Sequence, residues 1–186
     1  MKLSPPIPIS LSNNPYYPLP PDYNTLSEEG RRLARVNACL LWQLPGSPEE
    51  IAENTVAALL FFDAYYLHPD PDNDFDPIFY DMAPLPTPSM HLDLTRLWAT
   101  NRFTAAILPR GAAKSSHMRK DMLLHLCTAP AYSYVYATST HDNTCHTGQI
   151  LRDQLYENSR IQDDLAHDFG GTFKPLRGSK ASGVDY

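Results

Sequence analysis

A short basic loop carries the residue types best suited to binding phosphate. It follows the apolar segment Phe103–Leu108 and consists of Pro109, Arg110, Gly111, Ala112, Ala113, Lys114, Ser115 and Ser116. Backbone N–H groups of such a loop, the positive end of a following helix and a lysine amine all attract phosphate oxygens. A hydroxyl directly after the lysine is placed to ligate magnesium. The loop therefore predicts a site for a nucleoside polyphosphate with Mg²⁺.

The flanking segments predict the elements that position this loop. Phe103–Leu108 has the composition of a strand, and Pro109 ends it because proline has no N–H to donate. After Lys114, apolar residues recur at spacings of three and four, which predicts a helix. Tyr132–Thr138 is a nearly unbroken apolar and β-branched run, typical of a strand buried on both faces. We therefore expect the α/β fold class: a P-loop NTPase-like parallel sheet with flanking helices, containing a right-handed βαβ unit.

The loop departs from the phosphate-loop pattern GxxxxGK[ST] at both glycine positions. Leu108 and Ala113 stand where that pattern has glycine, so Gly111 alone supplies an unrestricted backbone. A basic surface turn in front of a helix explains these residues equally well. The loop by itself leaves both interpretations open.

The loop and its flanks together resemble the large subunit of phage terminases, the motors that package viral DNA. That family has a variant Walker A loop with an arginine four residues before the lysine, then a glycine, and a small residue before Lys-Ser. The matching residues here are Arg110, Gly111, Ala113, Lys114 and Ser115. The stretches PTPSMHLDLTRLWATNRF, YSYVYATST and SRIQDDL resemble the family's preceding helix, second strand and following turn, in that order. The resemblance covers about residues 85–170.

The resemblance implies a role for each loop residue. ATP and Mg²⁺ would be the cofactors, with the whole of Pro109–Ser116 binding the nucleotide and Ser115 ligating the metal. Lys114 would hold the β- and γ-phosphates as a catalytic residue. Arg110 would stabilise charge on the transferring phosphoryl group or signal nucleotide state to the rest of the motor. Double-stranded DNA, a portal protein and a small terminase subunit would be partners, in a homo-oligomeric ring in the host cytoplasm.

Hydrolysis by a P-loop enzyme also needs an acidic residue on a neighbouring strand. Asp163 and Asp164 lie in a helical pattern rather than a buried strand, and no nuclease-type acidic cluster follows. We therefore expect an N-terminal fragment of the ATPase domain that ends before Walker B and is inactive alone. Another P-loop ATPase or helicase-like protein, or a non-enzymatic partner-binding fragment, remains an alternative.

The chain divides at its proline-rich stretches. Residues 1–25 predict an extended arm, residues 26–68 a helical hairpin, residues 69–89 an acidic proline-rich loop, and residues 90–186 the ATPase part. Three serines precede helical patterns and predict N-caps: Ser27, Ser47 and Ser89. Glu50 completes a predicted capping box with the second of these.

Composition limits the class of protein. The chain has 186 residues, of which 42% are hydrophobic, enough for one domain with a sizeable core. Its net charge of −6 excludes a general polycation, so any contact with DNA needs a local patch. Three scattered cysteines predict free thiols in a reducing compartment. The sequence has no signal peptide and no apolar run of membrane-spanning length.

Other groups with binding chemistry have simpler interpretations. His141 and Cys145 can share a helix face, but no second cluster completes a zinc site. Alternating aspartates between Asp70 and Asp81 have the spacing of a calcium loop without its glycine and glutamate, which favours a solvated acidic loop. A polar turn after the second predicted strand either contacts phosphate or DNA, or caps the next helix. Its residues are Ser139, Thr140, Asp142 and Asn143.

Overall fold

The computed structural model describes residues 18–67, 87–109, 111–129, 135, 137 and 140–166, and the helices below belong to these ranges. The α-helices are α1 (Glu28–Cys39), α2 (Pro48–Phe62), α3 (Ser89–Thr100), α4 (Lys114–Thr128), α5 (His141–Glu157) and α6 (Ser159–Ile161). Short 3-10 turns occupy Tyr23–Thr25 and Leu41–Gln43, and π-helical turns occupy Asp63–Leu67 and Gln162–Ala166.

The predicted α/β fold with a parallel sheet is wrong, because the described part of the chain is helical and contains no strand. Phe103–Leu108 has no regular secondary structure, and the side chains of Phe103 and Ile107 are 84% and 99% exposed. Most of Tyr132–Thr138 lies outside the described residues. Val135, which is described, is 95% exposed rather than buried on both faces. β-propensity measures how well a residue fits an existing pleated surface, and the described ranges contain no strand that supplies one.

The chain divides into two compact units, Met1–Tyr65 with Pro84–Ala112, and Tyr66–Ala83 with Ala113–Tyr186. In the first unit, α1, the Leu41–Gln43 turn and α3 pack on α2. One buried cluster joins α2 to α3, with Leu41 packed against it: Val56, Ala57, Leu60 and Leu92. At the edge of this cluster, Arg96 of α3 donates to the Glu53 carboxylate of α2 over 2.7 Å.

Two of the three predicted serine caps are confirmed. The Ser27 hydroxyl accepts from the Gly30 N–H at the start of α1. Ser47 and Glu50 form the reciprocal capping box of α2. The third prediction is wrong, because Ser89 is the first residue of α3 and no side chain caps that helix.

In the second unit, buried hydrogen bonds join Tyr66 to residues 158 and 164. The Asn158 amide donates to the Tyr66 carbonyl over 2.7 Å, while its oxygen accepts from the Ile161 N–H and starts α6. The Tyr66 hydroxyl donates to the Asp164 carboxylate over 3.0 Å. Asp163 and Asp164 lie in the Gln162–Ala166 π-helical turn, so their predicted helical setting is confirmed.

Candidate functional site

The candidate loop turns through two residues with left-handed backbone. Gly111 has φ +79°, and Ala113 has φ 49° and ψ 23°. Among the described residues, Ala113 is the one non-glycine residue with positive φ. This conformation costs an L-residue roughly 1–2 kcal/mol, because Cβ crowds the following carbonyl oxygen. Ala113 stands at the second glycine position of the phosphate-loop pattern, so the backbone there has the conformation that glycine adopts most easily.

Gly111 is needed for its backbone rather than for space. A Cβ built at this position meets no heavy atom within 4 Å, so the surroundings leave room for a side chain. The Ala112 N–H, which follows Gly111, donates to the Pro109 carbonyl over 3.4 Å. The described part of the loop therefore combines one backbone hydrogen bond with open space at Gly111.

The N-terminus of α4 follows directly and has no side-chain cap. The first intrahelical bond runs from the His117 N–H to the Ala113 carbonyl over 3.0 Å. The N–H groups of residues 114–116 precede that bond, so they have no intrahelical partner. The first turn contains no acidic residue that would compete for these donors. The helix thus presents three N–H groups and its positive dipole end to any anion that approaches.

The side chains of Lys114 and Ser115, in the first turn of α4, face solvent. Lys114 and Ser115 are exposed and Ser116 is half-buried, whereas α4 is anchored by buried residues further along. These are His117, Met122, Leu123, Leu124 and Cys127. α3 also lacks a side-chain cap, but its first turn carries no lysine. The amine and hydroxyl of α4 are therefore free to reach a ligand while the rest of the helix stays packed.

A histidine of α3 contacts the loop backbone at Ala112. His91 is 7% exposed, and its Nε2 lies 2.7 Å from the Ala112 carbonyl oxygen. Because a carbonyl oxygen only accepts, the imidazole nitrogen at this contact carries the proton. Sequence reasoning missed this contact, since no periodicity relates residues 21 positions apart.

The other predicted polar contacts fall into two groups. Thr140 caps α5 by accepting from the Asn143 N–H over 3.4 Å, which confirms the capping alternative for this turn. Arg110 and Ser139 lie outside the described residues, so the role of Arg110 on the phosphoryl group stays a prediction. Lys114 and Ser115 are thus the predicted catalytic and metal-ligating residues that the structure places at the helix terminus.

The alternative metal sites gain no support from the described ranges. His141 and Cys145 share a face of α5, with the thiol sulfur 3.5 Å from the imidazole Nε2. Within the described ranges, no group of three His, Cys, Asp or Glu side chains is placed to hold a metal ion. The aspartates between Asp70 and Asp81 lie outside those ranges. All three cysteines are free thiols, as predicted.

No family model, curated protein or solved structure matches this chain. Within the part of the chain that the structure describes, no helix combines the length and apolarity needed to cross a bilayer.

Proposed function

We propose that the loop Gly111–Ser116 binds the phosphates of ATP with Mg²⁺, as the nucleotide-binding part of a phage terminase large subunit. The observation that carries this proposal is the left-handed Ala113 directly before the uncapped N-terminus of α4. A strained residue persists only where its surroundings determine it, and such residues concentrate at ligand sites. Here the strain falls at the position where the phosphate-loop pattern has glycine.

Each loop group has a role in this proposal. The N–H groups of residues 113–116 donate to phosphate oxygens, and the Lys114 amine neutralises charge on the β- and γ-phosphates. The Ser115 hydroxyl supplies an oxygen ligand to Mg²⁺. Arg110 stabilises charge on the transferring phosphoryl group. We expect this chain to bind nucleotide without hydrolysing it, since hydrolysis also needs a carboxylate near the metal.

The wider setting follows from the sequence resemblance alone. In the intact motor, the loop would power translocation of double-stranded DNA through a portal protein, with a small terminase subunit and a ring of large subunits. Its place of action would be the host cytoplasm. The chain's net charge of −6 requires that DNA contacts come from a local basic surface.

Titration with a fluorescent ATP analogue and Mg²⁺ tests the proposal. Lys114→Ala should weaken binding at least about 10-fold, equivalent to about 1.4 kcal/mol. Lys120→Ala removes the same charge from the same helix, further from its terminus, and should change affinity less than twofold. Excess unlabelled ATP should displace the analogue, and Ser115→Ala should reduce the dependence on Mg²⁺.

Two outcomes would contradict the proposal. One is wild-type protein that shows no saturable binding, which favours the alternative of a basic surface loop in a partner-binding fragment. The other is equal weakening by Lys114→Ala and Lys120→Ala, because unspecific attraction by total charge would then explain the binding.

A further inference from the structure

Helix α3 packs against α2 within the first unit. Its Leu92 side chain is buried against Val56 and Leu60 of α2. Arg96 of α3 also forms an ion pair with Glu53 of α2, with the guanidinium nitrogen 2.7 Å from the carboxylate oxygen. His91 precedes Leu92 in the sequence and is itself buried, on the helix that packs against α2.

The contact between His91 and the Ala112 carbonyl also affects the neighbouring Ala113 N–H. The Ala112 carbonyl and the Ala113 N–H belong to a single planar peptide unit. None of the described peptide bonds is cis, so these two groups point in opposite directions across that plane. The Ala112 carbonyl lies 2.7 Å from the His91 Nε2, and fixing it therefore also fixes the plane that contains the Ala113 N–H.

We infer that His91 is the positioning residue of the phosphate loop: it orients the Ala113 N–H toward the bound nucleotide and keeps Ala113 left-handed. This inference rests on the proposed function of the loop. Ala113 has a strained backbone, and strain of this kind relaxes when the contacts that impose it are removed. The imidazole supplies such a contact from an element that carries none of the predicted phosphate ligands.

His91→Met and His91→Gln form a matched pair for the test. Both side chains are unbranched and of similar length, so both can fill the space of the buried imidazole, but glutamine alone has an N–H to donate. Two quantities are measured: affinity for the fluorescent ATP analogue, and hydrogen exchange of the 113–116 amides without nucleotide. Far-UV circular dichroism of each variant checks that its helices are retained.

We expect His91→Met to weaken nucleotide binding about 10-fold and to speed exchange of the 113–116 amides by a similar factor. His91→Gln should restore both values to within about threefold of wild type. Lys114→Ala, by contrast, should weaken binding and leave amide exchange unchanged.

Unchanged exchange in His91→Met, or a glutamine variant that behaves like methionine, would overturn the positioning role. If wild-type protein binds no nucleotide, the proposed function fails, and the exchange measurements still decide whether His91 holds the loop. The two failures are therefore distinguishable.

Discussion

Replacing Ala113 with glycine should stabilise the protein, which is the reverse of the usual effect of glycine. Alanine pays roughly 1–2 kcal/mol to adopt the left-handed conformation seen here, and glycine pays almost none. Against this gain, glycine adds about 0.4–1 kcal/mol of unfolded-state entropy that folding must remove. The difference predicts that Ala113→Gly stabilises by about 0.5–1 kcal/mol.

Ala112→Gly is the matched control for this prediction. Ala112 is also an alanine and is the neighbour of Ala113, but its φ is not positive, so glycine there brings only the entropic cost. We expect Ala112→Gly to destabilise by about 0.5–1 kcal/mol. Gly111→Ala should also destabilise by about 1 kcal/mol, because its φ of +79° strains alanine although space is open.

Urea and thermal unfolding, followed by circular dichroism, measure these differences. For a chain of this size, 1 kcal/mol shifts Tm by about 2–4 °C, which is well resolved. Ala113→Gly should raise Tm and keep nucleotide affinity at or above that of wild type. A fall in Tm equal to that of Ala112→Gly would refute the left-handed assignment and, with it, the main support for the phosphate loop.

Three further predictions concern the helices around the site. Iodoacetamide should alkylate the half-exposed Cys145 rapidly in the folded protein and spare the fully buried Cys127. Burial also raises the pKa of the Cys127 thiol, which leaves less of the reactive thiolate. Equal alkylation rates for the two cysteines would contradict this prediction. The hydrogen bond and charge of Arg31 lower the pKa of Glu28 below its usual 4.5, so its stabilisation of α1 is present above that pH and is lost as pH falls through the lowered pKa. An NMR titration should show the Glu28 pKa rising in Arg31→Ala, and an unchanged value would count against the ion pair. Tyr66→Phe should cost about 1–3 kcal/mol in urea unfolding, because the buried carboxylate of the Gln162–Ala166 turn loses a donor; a cost near zero would contradict that bond.

The sequence predicted local features of the fold well. Ser27 and Ser47 cap their helices as expected, since a cap depends on residues within one turn of each other. The start of α4 at Lys114 is also confirmed, because its apolar period begins there. The start of α3 is predicted one residue too late, because its N-cap is Pro88, which has no side-chain cap, and Ser89 is already the first helical residue.

Features that depend on distant partners were not predictable in this way. Phe103–Leu108 and Val135 have strand-like composition, but a strand forms only where another strand accepts its hydrogen bonds. The contacts from His91 to Ala112 and from Asn158 to Tyr66 join positions that share no periodicity. Within the candidate site, the sequence predicts roles for Lys114 and Ser115, while the left-handed Ala113 and its contact with His91 depend on the folded chain.

The most direct test of the loop is a ¹⁵N–¹H NMR titration of the protein with pyrophosphate and then with Mg²⁺–ATP. We expect large, saturable shifts of the backbone amide signals of residues 113–116, since their N–H groups would donate to phosphate oxygens. These shifts should be much smaller in Lys114→Ala at the same ligand concentration. Saturable shifts at other residues with residues 113–116 unmoved, or no shifts at all, would contradict the account.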